Sequence, residues 1–171
     1  MSNFFNYMKK LLELLKKEKI FILLIITIIV LKIFVFNFIL VKGDSMNPKF
    51  KNNDFMFLNK IIYNFQSIKR GDVIVLKYQN NDLIKRVIGL PKDKIKVENG
   101  KLYINNKEYK ENYINSYTAS IDFTEIALKD YEYFVMGDNR YNSYDSRNFG
   151  PITKRNIIGR VEFKIFPFDK R

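Results

Sequence analysis

The sequence predicts a mainly β protein in which one N-terminal transmembrane helix precedes an antiparallel β-sheet domain with a small accessory β region. Two observations carry this. Residues 20–41 form a single apolar run, and beyond it the chain breaks into short stretches rich in Val, Ile, Phe and Tyr, divided by turn residues. A length of 171 residues leaves room for such a segment and one domain of about 100–150 residues.

In the run IFILLIITIIVLKIFVFNFILV only Thr27, Lys32 and Asn37 are not apolar. As a helix it would extend about 33 Å, against a hydrocarbon core of about 30 Å. A central Lys costs about 2.5–3.5 kcal/mol, while each apolar residue contributes roughly −0.3 to −0.6 at best, so the apolar sum over the run favours insertion. The Lys32 amine can reach toward an interface. Lys9, Lys10, Lys16, Lys17 and Lys19 precede the run and only Lys42 directly follows it. The positive-inside rule therefore predicts a cytoplasmic segment 1–19, a span 20–41 and an external domain 42–171 at the cell membrane. MKKLLELLKKEK is Leu/Lys-patterned and suits the cytoplasmic interface. Two other readings compete. A cleaved secretory signal has a shorter apolar region and a small-x-small site, which Gly43-Asp44-Ser45 matches poorly. A buried core helix would show a polar face.

The later segments DFMFLNKII, GDVIVLKYQ, LIKRVIGL, KIKVENGKLYINNKEY, YEYFVMGD and NIIGRVEFKIFPF read as mostly antiparallel strands, several with period-two alternation. Asn99-Gly100 between alternating runs signals a hairpin. The stretch from about 94 to 130 has room for only a small accessory β region. There is no fixed-period repeat and no low-complexity linker.

Composition excludes several chemistries. With no His and no Cys, Ser-His-Asp and Cys-His catalysis, disulfides and Cys-ligated zinc are absent, and no metal or cofactor is implied. Catalysis, if present, falls to hydroxyls, carboxylates, Lys, Tyr or backbone amides. The net charge is +12, of which +5 lies in residues 1–42 and +7 in the rest. A basic surface suits nucleic acid or anionic lipid, but no run of five basic residues occurs, and a solvated Lys-rich face accounts for the charge equally well.

Three local sequences carry candidate chemistry. Gly43-Asp44-Ser45-Met46-Asn47-Pro48 follows the apolar run. Gly43 permits close backbone approach and Pro48 restricts Asn47, so Ser45 can occupy a fixed exposed turn; an ordinary turn serine gives the same pattern. In Leu83-Ile84-Lys85-Arg86-Val87-Ile88-Gly89-Leu90-Pro91 a Lys stands in an apolar strand, on one face with Leu83 and Val87. An edge Lys that blocks strand pairing would look alike. Finally, Gly137 to Gly150 packs two Asp, two Arg, two Ser and three Asn into fourteen residues after an apolar strand. Its alternating acids and guanidinium groups suit a buttress of charge-assisted hydrogen bonds that fixes a loop.

GDSMNP, RGDVIVL (Arg70 to Leu76), KRVIGLPKD (Lys85 to Asp93) and GDNRYNSYDSRNFGPI (Gly137 to Ile152) occur in the order and at about the spacing of the conserved boxes of bacterial type I signal peptidases. The chain resembles the short, single-span form of that family over most of its length. The resemblance implies a membrane-bound serine endopeptidase that removes signal peptides from exported preproteins after small-x-small residues. It implies Ser45 as nucleophile, Lys85 as general base, Ser143 as the residue orienting that base, and Asp145 with Arg147, and Asp138 with Arg140, as structural support. Val41, Met46 and Ile84 would line the substrate pockets. A base must be neutral, and burial among the apolar side chains of LIKRVIGL lowers a Lys pKa by up to about 3–5 units. Gly43 stands where some members carry a Ser that helps bind the oxyanion, which leaves more of that role to the Ser45 N–H. Lys49 and Lys92 replace a usual Thr and Gly.

The expected partners are signal peptides and the bilayer, without nucleic acid. Alternatives are another Ser-Lys peptidase, of the conjugation pilin or self-cleaving repressor type, or a membrane-tethered basic module without enzymatic activity. An adhesion domain using Arg70-Gly71-Asp72 belongs to the last class.

Overall fold

The run Val73-Ile74-Val75-Leu76 has no polar alternate, so both faces of its strand must be covered. In the computed structural model, which describes residues 2–114 and 121–166, that strand lies at the centre of a seven-stranded sheet. Met1, residues 115–120 of the expected accessory region and residues 167–171 of the expected external domain lie outside the described residues.

The chain divides into two units, 1–36 and 37–171. The first is dominated by helix α1 (Ser2–Phe34). Its side chains from Ile20 to Leu24 are all more than half exposed, and Thr27 Oγ1 donates to Leu23 O at 2.8 Å, which satisfies the one hydroxyl in the apolar stretch. The expected span to Val41 is corrected here. The helix stops at Phe34, and residues 36–40 are extended. Alternating aromatic and branched residues in Phe36-Asn37-Phe38-Ile39-Leu40 favour a pleated strand, and a neighbouring strand supplies its backbone partners. The apolar part of α1 is thereby cut to Ile20–Phe34, about 22 Å. Among the described residues, no helix is long and apolar enough to cross a membrane.

The remaining elements are β1 (Phe36–Leu40), β2 (Phe55–Asn59), α2 (Ile62–Phe65), β3 (Val73–Tyr78), β4 (Asn81–Gly89), β5 (Lys94–Glu98), β6 (Lys101–Ile104), β7 (Lys107–Glu108), β8 (Phe123–Ala127), β9 (Glu132–Met136), α3 (Ser146–Phe149), β10 (Ile152–Thr153) and β11 (Ile157–Phe166). The larger sheet runs β1-β2-β11-β3-β4-β9-β10 and the smaller β7-β6-β5-β8. Every pair with a described register is antiparallel. Asn99 and Gly100 both have positive φ, 53° and 73°, as the tight β5–β6 hairpin requires.

Period-two alternation sends β3 side chains to two cores. Val73 and Val75 join Val41, Met46, Phe50, Met56, Leu58 and Val161, while Ile74 and Leu76 join Tyr63, Ile68, Val87, Val135 and Ile152. A third core, with Ile88, Ile95, Val97, Leu102 and Phe134, fills the space under the smaller sheet. Burying each such aliphatic side chain contributes roughly 1.5–3 kcal/mol, so the β-sheets carrying the site are well anchored.

Candidate active site

Ser45 sits in the turn after β1. The turn is pinned at both ends: Val41 exchanges backbone bonds with Asn53 and Asp54 at 2.9 Å, and Phe50 N donates to Met46 O at 2.9 Å. Gly43 has φ +83°, a conformation that favours glycine, yet nothing lies within 4 Å of where its Cβ would be. Backbone conformation, not the close approach expected from the sequence, therefore requires glycine there. The Asn47–Pro48 peptide is cis.

Lys85 lies in β4, opposite Ile74, so it shares a face with Ile74, Leu83 and Val87. The pairing of β4 with β9 ends at Arg86–Met136. The chain after Met136 turns toward Ser45 instead, where Asn139 N donates to Ser45 O at 3.0 Å and Asn139 Nδ2 to Asp44 O at 3.2 Å. Lys85 Nζ donates to Ser45 Oγ at 2.8 Å. The Lys side chain is only 3% exposed. Burial pushes its pKa down to about 8, with Arg147 acting in the same direction against the upward pull of Asp145 and Asp138.

Asp145 and Arg147 form the expected pair at 2.8 and 2.9 Å. Asp145 also accepts from Gly137 N at 2.9 Å and caps α3, while Arg147 Nη1 donates to Arg140 O at 2.7 Å, so the pair ties the loop to the end of β9. Burial alone pushes the Asp145 carboxyl up, but Arg147 and the Gly137 amide hold it below its usual value.

Asp138 and Arg140 take other partners than each other. Asp138 is held by Arg86 at 2.7 and 2.6 Å, and Arg140 by Glu111. Residues 138 and 140 diverge at the turn, one toward β4 and one toward the accessory region. Arg86 is adjacent to Lys85 in sequence, but neither it nor Glu111 carries a local signal that names its partner. Nor does Ser143 hydrogen-bond to Lys85. Its buried Oγ makes no well-formed hydrogen bond, although it lies close enough to Asp145 to help hold that carboxyl low. Gly137, which the sequence did not single out, lies between Ser143 and Ser45. A Cβ there would come within 2.6 Å of Ser143 Cβ and closer still to Ser143 Oγ and Ser45 O.

Ser45 and Lys85 open on a cleft of about 440 Å³ whose lining includes Val41, Met46 and Ile84 together with Leu40, Val75 and Leu83. Among the described residues no group of three or more carboxylates could hold a metal ion. Arg70 is engaged by Asp93 and the Ile88 carbonyl, and Asp72 by Tyr63 and Lys69, so Arg70-Gly71-Asp72 is a structural turn and not a free recognition triplet. Lys92 has φ +70°, which accounts for the glycine usual at that position.

Comparison with known proteins gives one answer. Residues 12–166 match the family described as signal peptidase, peptidase S26. The chain is 37% identical over 162 residues to signal peptidase I of Bacillus amyloliquefaciens, covering 89% of this chain and 88% of that one. It is 36% identical over 169 residues to signal peptidase I S of Bacillus subtilis strain 168, covering 92% of each. A crystal structure of a signal peptidase I from Enterococcus faecalis V583 superposes with a TM-score of 0.51 at 28% identity, covering 57% of this chain and 98% of that one. A family match over nearly the whole length, together with relatives of this identity and coverage, places the chain in the signal peptidase family of S26 peptidases.

Proposed function

We propose that this peptidase removes signal peptides from exported preproteins by acyl transfer through Ser45 and Lys85. The observation that carries the reading is the 2.8 Å approach of a buried Lys85 amine to the Ser45 hydroxyl. When the amine is neutral, the same distance lets Ser45 donate its proton to Lys85 as Oγ attacks the scissile carbonyl. The Ser45 N–H faces the developing oxyanion. Lys85 passes the proton to the leaving amine and then activates the deacylating water. Ser143 steadies the amine once the Ser45 oxygen is acylated, and it has a buried hydroxyl without a prior hydrogen bond to give up. Asp145 with Arg147, and Asp138 and Arg140 with their own partners, hold the loop that presents these groups.

The substrate lies extended along Asp82–Lys85 of β4 on the side away from β3, where the pairing with β9 has ended and no other strand pairs among the described residues. Alternate side chains then enter the part of the cleft lined by Val41, Met46 and Ile84. The apolar, shallow lining favours small residues at alternate positions, hence cleavage after small-x-small. The apolar stretch of α1 tethers the enzyme to the bilayer, with Lys17, Lys19 and Lys32 reaching to the interfaces, the N-terminus cytoplasmic and the catalytic unit outside. The deciding assay incubates the detergent-solubilised full-length protein with a preprotein bearing Ala-x-Ala. Wild type should cleave it and Ser45→Ala should not; cleavage by Ser45→Ala at the wild-type rate refutes the reading.

A further inference from the structure

A second buried ionic cluster lies behind the dyad, and no acyl-transfer step uses it. Arg86 holds Asp138 through two hydrogen bonds, and Arg140 holds Glu111 through two more, the first at 2.6 Å. Tyr113 joins the halves: its hydroxyl donates to Glu111 Oε1 at 2.5 Å, and its ring lies 4.1 Å from the Arg86 guanidinium. Two guanidinium groups and two carboxylates balance. Arg86, Asp138 and Arg140 belong to β4 and the loop after β9, whereas Glu111 and Tyr113 come from the accessory region between β7 and β8.

We propose that Glu111 is a positioning residue for the reaction, by which the accessory region clamps the loop after β9 in the conformation that holds Ser45 against Lys85. Arg140 is the centre of that loop. Its Nε donates to Gly137 O at 3.0 Å and its carbonyl accepts from Arg147, while Asn139 beside it binds Ser45 O. A guanidinium cannot be neutralised, and burial works against the Arg140 charge; the Glu111 carboxylate more than offsets this. Without that carboxylate the buried Arg140 guanidinium loses its two-pronged hold on the accessory region, and the loop it centres is no longer fixed from that side. Gly137, Asn139 and Arg147 would then shift, and with them the groups that face Lys85: Asp138, Asp145 and Arg147.

This inference rests on the Ser45/Lys85 reading, and its test separates the two. In full-length protein with the Ala-x-Ala preprotein, Glu111→Gln should lower kcat by about tenfold or more while KM stays within about twofold, because the dyad loosens and the cleft lining is untouched. The acid limb of its pH profile should also move, and Glu111→Asp, which keeps the charge, should recover part of kcat. Tyr113→Phe, which deletes only the hydroxyl, should lower kcat by about twofold to fivefold. A folded Glu111→Gln enzyme with wild-type kcat and acid limb overturns the clamp, as does a loss confined to KM. If Glu111→Gln does not fold, wild-type kcat in Tyr113→Phe overturns it. An inactive Ser45→Ala beside a fully active Glu111→Gln rejects the clamp alone, whereas an active Ser45→Ala rejects the dyad.

Discussion

Replacing Lys85 by Met should abolish cleavage and yet stabilise the protein at neutral pH. Lys85 is 3% exposed, and burial brings its pKa to about 8. The unfolded chain holds the same amine at about 10.4, so below pH 8 the folded state carries a penalty of about 3 kcal/mol for burying the charge. Between about pH 8 and 10.4 the unfolded state binds more protons at this position, so wild-type stability gains that amount as pH rises and the penalty is gone above 10.4. Met fills similar space without the charge but loses the bond to Ser45 Oγ, which contributes about 0.5–1.5 kcal/mol. Lys85→Met should therefore be more stable than wild type by about 2 kcal/mol at pH 7 and less stable by about 1 at pH 11. Thermal unfolding of both full-length proteins in the same detergent, followed by near-ultraviolet circular dichroism across this range, reads the difference directly. Other titrating groups cancel between the two proteins. A difference that does not change with pH would mean that Lys85 has an ordinary pKa, and the base assignment would fail with it.

The rate kcat/KM should rise on its acid side and level near pH 8, since only neutral Lys85 accepts the Ser45 proton; Lys85→Arg, permanently charged, should be inactive, and an active Lys85→Arg enzyme refutes the mechanism. Ser143→Ala should lower kcat by about tenfold to a hundredfold at unchanged KM, read by steady-state kinetics, because the hydroxyl proposed to steady the Lys85 amine once Ser45 is acylated would be gone. Gly137→Ala should cost about a hundredfold or more in kcat, as its methyl group must displace Ser143 or Ser45; wild-type turnover there would show that the two sides move freely. Protease added outside intact cells should digest the β unit, and a unit protected until lysis would reverse the proposed topology.

How much of this was legible in the chain itself follows from the range over which each signal acts. Period-two alternation, the Asn99-Gly100 turn and the absence of His and Cys are local or compositional, so the antiparallel β class, the hairpin and the excluded chemistries could be read directly. Asp145 and Arg147, two residues apart, could pair within their own loop. Partners across the fold could not be read that way. Asp138 meets Arg86 from 52 residues away and Arg140 meets Glu111 from 29, because the register of β4 against β9 and the return of the accessory region decide which charges share a buried space. The end of α1 at Phe34 was decided likewise, since an apolar run is equally suited to a helix or a strand until another strand offers it backbone partners. Ser45 and Lys85 stood out as a serine in a turn and a lysine in an apolar strand. Only the tertiary structure, by ending the β4–β9 pairing one residue short of Lys85 and turning the chain to Ser45, put the amine within reach of the hydroxyl and buried it deeply enough to bring its pKa down to about 8.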